Sequence, residues 1–181
     1  ELTLSNKVKI EGKIQVITRD LGLLSAKLNI FRKINLEGKG LFKIDIRGSL
    51  EDPMVKVEAE VENCKSTYLD AKNITFSILK TGNEISLNNL EVRNNNEFLQ
   101  LTERVDIYNL QEKKLHEFEL GLYFRNLKVG TALKFLPQLT SSLKGELKGK
   151  LRVIHSAGAL TFIPISGMEF NEMRLVDSLG D

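Results

Sequence analysis

The chain has 181 residues, of which 41% are hydrophobic and 28% charged, a composition typical of a folded protein rather than a disordered one. Its 26 basic and 24 acidic residues give a formal net charge of +2. This balance argues against a nucleic-acid-binding protein, which usually carries a basic patch or stripe. No apolar run approaches the roughly 20 residues of a membrane-spanning helix. The single cysteine, Cys64, excludes a disulfide within the chain.

The two ends of the chain resemble the ends of an excised piece. Glu1 already lies within a strand-like pattern, and Asp181 follows without a tail. We therefore expect a fragment of a longer protein, with any targeting or anchoring segment outside it.

Strict alternation of apolar and polar residues begins at the N-terminus. Successive side chains of a β-strand point to opposite faces, so alternation predicts a strand with one apolar and one charged face. Lysine, glutamate and glutamine occupy the odd positions between residues 7 and 15. The apolar residues at the even positions are Leu2, Leu4, Val8, Ile10, Ile14 and Val16.

The same alternation returns along the rest of the chain. It predicts further strands over residues 42–47, 55–62, 74–78, 85–87, 105–107, 118–124 and 143–153. Turn signals separate these strands at Asp20-Leu21-Gly22, Asp52-Pro53, Thr81-Gly82-Asn83, Asn94-Asn95-Asn96 and Ala157-Gly158. Such spacing predicts consecutive antiparallel strands joined by tight connections, and hence an all-β protein.

One segment follows helical spacing instead. Apolar residues recur at intervals of three and four between Val129 and Leu136, and Pro137 would end a helix there. We predict a two-turn helix over residues 129–136 and no helix elsewhere.

Residues that commonly carry catalysis or bind metals are sparse. His116 and His155 are far apart in the sequence, and neither has a cysteine or carboxylate at metal-ligand spacing. Cys64 has no histidine partner nearby and is predicted to be a semi-buried thiol just past a strand. Gly38-Lys39-Gly40 lacks the spacing of a phosphate-binding loop. We therefore predict neither an enzyme nor a metal or cofactor site.

An antiparallel sheet with one apolar face must cover that face. One solution is a second sheet, which gives a β-sandwich. The other is a single long sheet curled into a trough whose apolar face is covered by lipid. Aromatic residues are only 7% of the chain and tryptophan is absent, so the lining is mainly aliphatic and suits alkyl chains. Because sandwich cores use the same residues, the pattern alone leaves both solutions open.

Residues 36–59 resemble the recurring unit of the TamB and AsmA-like proteins of diderm bacteria. In that family, a glycine-marked strand ends in glycine, a short turn with proline follows, and the next strand begins. The matching residues here are Gly40, Gly48, Pro53, Val55 and Val57. Residues 85–92 resemble the next strand of the same unit, and residues 136–153 are similar to another copy.

The resemblance implies one segment spanning residues 1–181, with repeat-like units near residues 36–107 and 130–165. It also implies an elongated antiparallel β-groove, of the kind called a β-taco, with a hydrophobic inner surface. The family's role implies a periplasmic protein that carries phospholipid between the inner and outer membranes. Its inner-membrane anchor would lie outside this chain.

The leading hypothesis is therefore a segment of a bridge-like lipid transporter, with phospholipid acyl chains as its ligand. The alternative is an interaction module that adds extended polypeptide to a sheet edge during outer-membrane protein assembly, with an outer-membrane barrel like TamA as partner. In the leading hypothesis, the inward apolar side chains solvate acyl chains without specific recognition. The predicted groove residues are Val8, Ile10, Ile14, Val16, Phe42, Ile44, Ile46, Val55, Val57, Val61, Phe76, Ile78, Leu120, Leu122, Leu147 and Leu151.

Overall fold

β-Strands dominate the structure, a computed structural model that describes residues 8–28, 36–66, 70–128, 143–157, 159–165 and 167–175. The strands are β1 (Lys9–Thr18), β2 (Glu37–Ser49), β3 (Pro53–Lys65), β4 (Asp70–Thr81), β5 (Glu84–Asn94), β6 (Glu97–Leu101), β7 (Val105–Asn109), β8 (Lys114–Leu115), β9 (Phe118–Lys128), β10 (Leu143–Ser156), β11 (Ala159–Pro164) and β12 (Glu169–Leu175). One helix, α1 (Leu21–Leu28), follows β1.

All of these strands belong to one open antiparallel sheet. From β1 to β6, each strand pairs with its neighbour in sequence, and β9, β10 and β11 continue the sheet beyond β6. Two strands have two partners on one edge: β5 pairs with both β6 and β7, and β10 pairs with both β11 and β12. The prediction of a mainly antiparallel all-β fold is confirmed. Over the described residues, the sheet is single rather than the paired sheets of a sandwich.

The predicted hairpin turns follow local backbone chemistry. Gly82 has a φ of 58° between β4 and β5, a conformation that glycine adopts without steric cost. Asn95 has a φ of 51° between β5 and β6, and asparagine tolerates this left-handed region better than most residues. Both turns are confirmed where the sequence predicted them. The predicted repeat-like units and single-segment organisation stay predictions.

The register places apolar residues opposite apolar residues across the sheet. Cα partners cross β1 to β5 in a row, which we call the central row: Ile14, Ile44, Val57, Ile78 and Leu87. Because directly paired residues point to the same side of a sheet, the whole row lies on one face.

The neighbouring row on the other face is polar. From β1 to β5 it consists of Gln15, Lys43, Glu58, Ser77 and Asn89. A slip of one residue in any pairing would exchange these two rows, so the one-sided pattern specifies the register.

The helix α1 lies where the sequence predicted a turn. Asp20 is its N-cap: the Oδ1 atom accepts a hydrogen bond from the Leu23 N–H at 2.9 Å, and the Asp20 carbonyl accepts from the Leu24 N–H at 3.2 Å. The Thr18 hydroxyl accepts from the Asp20 N–H at 3.1 Å. The prediction of a turn at residues 20–22, with no helix outside residues 129–136, was therefore wrong. A capping carboxylate and the burial of Leu21 favour helix here. The helix predicted over residues 129–136 lies outside the described residues.

Packing of α1 forms a hydrophobic cluster at one end of the apolar face. Its buried members are Leu21, Val61 and Cys64, with 4%, 6% and 4% of their surface exposed. Leu36, Phe42, Ile74 and Phe76 pack around them. The helix thus closes the face over part of β2, β3 and β4.

Replacing Asp20 with alanine removes the N-cap of α1. We expect the free energy of unfolding to fall by about 1 kcal/mol, because the Leu23 N–H loses its acceptor. Urea denaturation of the wild-type chain and the variant measures this difference. Asp20→Asn keeps a capping side chain and is the matched control. Equal losses in the two variants would contradict the capping role.

Candidate functional site

The apolar face of the sheet is the candidate site, and the register brings the predicted groove residues onto it. All of them except Val8 lie within strands, and Val8 immediately precedes β1. A long row joins the two halves of the sheet: Val61, Ile74, Val92, Leu99 and Phe124 are successive partners from β3 to β9. On the far side, Leu122 pairs with Leu151, which continues the face onto β10.

The middle of this face remains open to solvent. Ile44, Val57 and Ile78 are only partly buried, and Ile14 exposes 50% of its surface. A second sheet packed on the face would bury such central positions as a protein core. The face is buried near α1 and again on β9, where Phe124 is only 3% exposed, so the accessible apolar surface of the described residues lies between these regions, on β1 to β5.

Charged side chains lie on this face at both ends of the strands. Lys80, in register with Val55, donates through Nζ to Asp52 Oδ1 at 2.6 Å and to the Pro53 carbonyl at 2.9 Å. At the opposite end, Glu97 is 8% exposed and accepts hydrogen bonds from Asn94 Nδ2 at 3.1 Å and from the Lys128 N–H at 2.9 Å. One charged side chain thus lies at each end of the face, Lys80 on β4 and Glu97 on β6.

The opposite face of the sheet carries paired charges. Arg47 contacts Asp45 at 2.7 Å, and Lys56 contacts Glu58 at 2.6 Å, each pair two residues apart on one strand. The hydrogen bond and positive charge of Lys56 lower the pKa of the Glu58 carboxyl. These groups are partly or largely exposed to solvent, and such surface pairs contribute little to stability. They keep this face hydrated.

Two cavities lie among side chains of the polar face, a feature that the sequence did not indicate. Their volumes are about 300 Å³ and 200 Å³, and both are lined by Leu41 and Glu60. The larger one also touches Ile17, which pairs with Leu41 and is 72% exposed. Neither cavity lies on the central row of the apolar face.

The structure brings together the two histidines, which are far apart in the sequence. His116 Nε2 lies 2.5 Å from Glu84 Oε2, and Glu84 Oε1 accepts a hydrogen bond from Asn109 Nδ2 at 2.7 Å. The Nδ1 atom of His155 lies 2.9 Å from the His116 carbonyl oxygen, and its ring stacks on Phe118 with centroids 5.1 Å apart. These contacts tie the segment before β9 to β5 and β10.

This histidine network links β5, β10 and the segment before β9 within the described residues. Among them, no three His, Cys, Asp or Glu side chains are arranged to hold a metal ion. Sequence spacing could not reveal the network, because the pairing of β9 with β10 brings His155 to the segment that contains His116.

Cys64 lies within β3 rather than just past a strand, and it is buried, with 4% of its surface exposed, rather than semi-buried as predicted. Asn63 has a φ of 50° opposite a register shift between β2 and β3, which marks a bulge. The bulge turns Cys64 toward the cluster beneath α1. Burial, and secondarily the negative charge of Asp70, raises the pKa of the Cys64 thiol.

Comparison of the chain with protein-family models, curated protein sequences and solved structures gave no match. The resemblance to the TamB and AsmA-like family, and the function drawn from it, therefore stay predictions. Within the described ranges, no helix has both the length and the apolar character needed to span a bilayer.

Cys64 should react slowly with a thiol-alkylating reagent in the folded chain. Its pKa is raised, so the thiolate forms only at a pH above the ordinary value of about 8.5. Alkylation followed by mass spectrometry across a pH series measures this rate, with the urea-unfolded chain as the control. Equal rates in the two states would contradict the burial of Cys64.

Proposed function

We propose that this chain is a segment of a lipid-transfer protein whose apolar β-face carries phospholipid between two membranes. The observation that supports the proposal most is the apolar face that the register carries from β1 to β10, with its partly exposed central row on β1 to β5 and a charged side chain at each end of the strands. As part of the same proposal, the protein is periplasmic, is anchored to the inner membrane by a segment outside this chain, and joins the inner and outer membranes.

The energetics of lipid transfer favour such a surface. Each methylene removed from water contributes roughly 0.8 kcal/mol, so an acyl chain of about fifteen carbons resists exposure to water by about 12 kcal/mol. A protein that moves lipid through an aqueous space must therefore provide apolar contact along the whole path.

The dimensions and lining of the face suit this task. Eight strands of the hydrogen-bonded path, from β1 to β10, carry it, and seven spacings of about 4.8 Å give an extent of about 34 Å across the strands. Aliphatic side chains along the central row offer contact without directional hydrogen bonds. Acyl chains of different structure could slide along such a surface, while headgroups remain in water at the charged boundaries.

A second candidate function rests on the edge strand β1. Among the described strands, β1 pairs only with β2, and its residues Ile14 and Ile17 expose 50% and 72% of their surface on opposite faces. An open edge can pair with an extended polypeptide by strand addition. This favours an interaction module for outer-membrane protein assembly, with a TamA-like barrel as partner.

Lipid extraction and mass spectrometry of the purified chain separate the two functions. Co-purified phospholipid supports lipid transfer. A lipid-free protein that binds strand-forming peptides supports the interaction module and contradicts the leading proposal.

A photo-crosslinking amino acid at Ile44 or Leu120 should capture phospholipid in cells, because both side chains lie on the apolar face. The same probe at the adjacent Lys43 or Glu119, which are exposed on the polar face, is the matched control. Mass spectrometry of the crosslinked adducts measures the outcome. Crosslinks from Ile44 and Leu120 to protein alone would argue against lipid as the ligand.

Replacing Ile44 or Val57 with aspartate places a charge within the central row. We expect lipid transfer between donor and acceptor vesicles to fall sharply, since an acyl chain would have to desolvate the carboxylate. The free energy of unfolding should fall by no more than about 3 kcal/mol, because both side chains are partly exposed. Lys43→Asp adds a carboxylate on the polar face and should transfer lipid normally. Normal transfer by all three variants would refute the proposed path.

A further inference from the structure

The helix α1 covers the apolar face at one end, and Leu21 provides the buried apolar contact. Leu21, the first residue of α1, is 4% exposed, whereas Leu23 two residues later is 55% exposed. Ser25 is also buried, with 8% of its surface exposed, so Leu21 is the buried apolar residue among the described side chains of α1.

The sheet is shaped to receive this side chain. Gly40 of β2 lies beneath Leu21, and a Cβ atom at Gly40 would lie 2.9 Å from Leu21 Cδ2 and 2.6 Å from Phe42 Cε2. Both distances are too short for carbon atoms, so the absent side chain of Gly40 makes room for Leu21. Leu21 then contacts the cluster that contains Val61 and Cys64.

Rows on the two sides of Phe42 therefore differ in accessibility. The row of Gly40 and Val61 is buried beneath Leu21, and Val61 is only 6% exposed. The central row of Ile44 and Val57 is open. Across β2 and β3, the accessible apolar surface ends where Leu21 begins.

We propose that Leu21 is a specificity-determining residue that closes the apolar face on the α1 side and limits the length of acyl chain that the face accommodates. This inference rests on the proposed lipid-transfer function. An acyl chain that extends along the strands from the central row can displace water as far as the row of Phe42, but it meets the packed Leu21 side chain at the row of Gly40 and Val61. The capping of α1 by Asp20 holds Leu21 in that position.

Leu21→Ala tests the inference by removing most of this side chain. The purified 181-residue chain is incubated with vesicles containing equal amounts of phosphatidylglycerols that differ only in acyl-chain length. Native mass spectrometry then reports which lipids are bound. We expect the variant to shift toward longer acyl chains than the wild-type chain binds.

Matched variants control for loss of structure. Leu23→Ala makes the same truncation on the exposed side of α1 and should keep the wild-type lipid profile. Leu21→Met keeps a similar volume and should restore that profile. If Leu21→Ala does not fold, Leu21→Val provides a smaller truncation, and its shift toward longer chains should be correspondingly smaller.

Cys64 provides a readout that does not depend on lipid. It lies in the cluster that Leu21 covers, so its alkylation rate should rise roughly tenfold or more in Leu21→Ala, because truncating a buried leucine leaves a poorly filled space. The Leu23→Ala rate should match the wild-type rate. An unchanged rate in Leu21→Ala would overturn the assignment of Leu21 as the cover of this row.

The lipid results distinguish the failure of this inference from that of the proposed function. If the wild-type chain binds phosphatidylglycerol but Leu21→Ala and Leu23→Ala have identical lipid profiles, the inference is overturned and the lipid-transfer proposal stands. If the wild-type chain binds no lipid from the vesicles, the proposed function is overturned and the inference falls with it.

Discussion

Antiparallel register is the constraint on which the rest of the structure depends. Side chains alternate between faces with a period of two, so one set of pairings keeps every apolar row on one side of the sheet. Ile44 and Val57 are neighbours only because β2 and β3 pair in this register, and the same holds for Leu122 and Leu151 in β9 and β10. The continuous apolar surface is a direct consequence.

The burial of the apolar side chains on that surface differs along the sheet. At the α1 end, Leu21 and the cluster around Val61 and Cys64 form a small conventional core. Over the central row, the described chain leaves apolar side chains partly exposed. Burying apolar area is the main favourable contribution to folding, so leaving such area uncovered is a cost that a ligand of matching chemistry would offset. Our functional proposal takes an acyl chain to be that ligand.

Several features depend on contacts that no local pattern encodes. Asp20 has the chemistry of a helix N-cap, but α1 is too short for its local sequence alone to make it stable. The packing of Leu21 against the sheet decides between helix and turn. The bulge at Asn63 turns Cys64 into the core, which alternation alone would not predict. The contact of His155 with the His116 carbonyl requires β9 and β10 to pair, although 39 residues separate the two histidines.

The sequence by itself determined the long strands, their apolar and polar faces, and most of their turns, because alternation and turn residues such as Gly82 and Asn95 act over a few neighbouring positions. It also indicated which side chains would share the apolar face. It did not indicate β6, β8, β11 or β12, which are shorter. Only the tertiary structure decided that the sheet is single and open over the described residues, and that α1 closes one end of it. Pairing partners and coverage are set by contacts between distant segments, whereas the alternation of Ile44 with Lys43 would be the same in a sandwich or a groove.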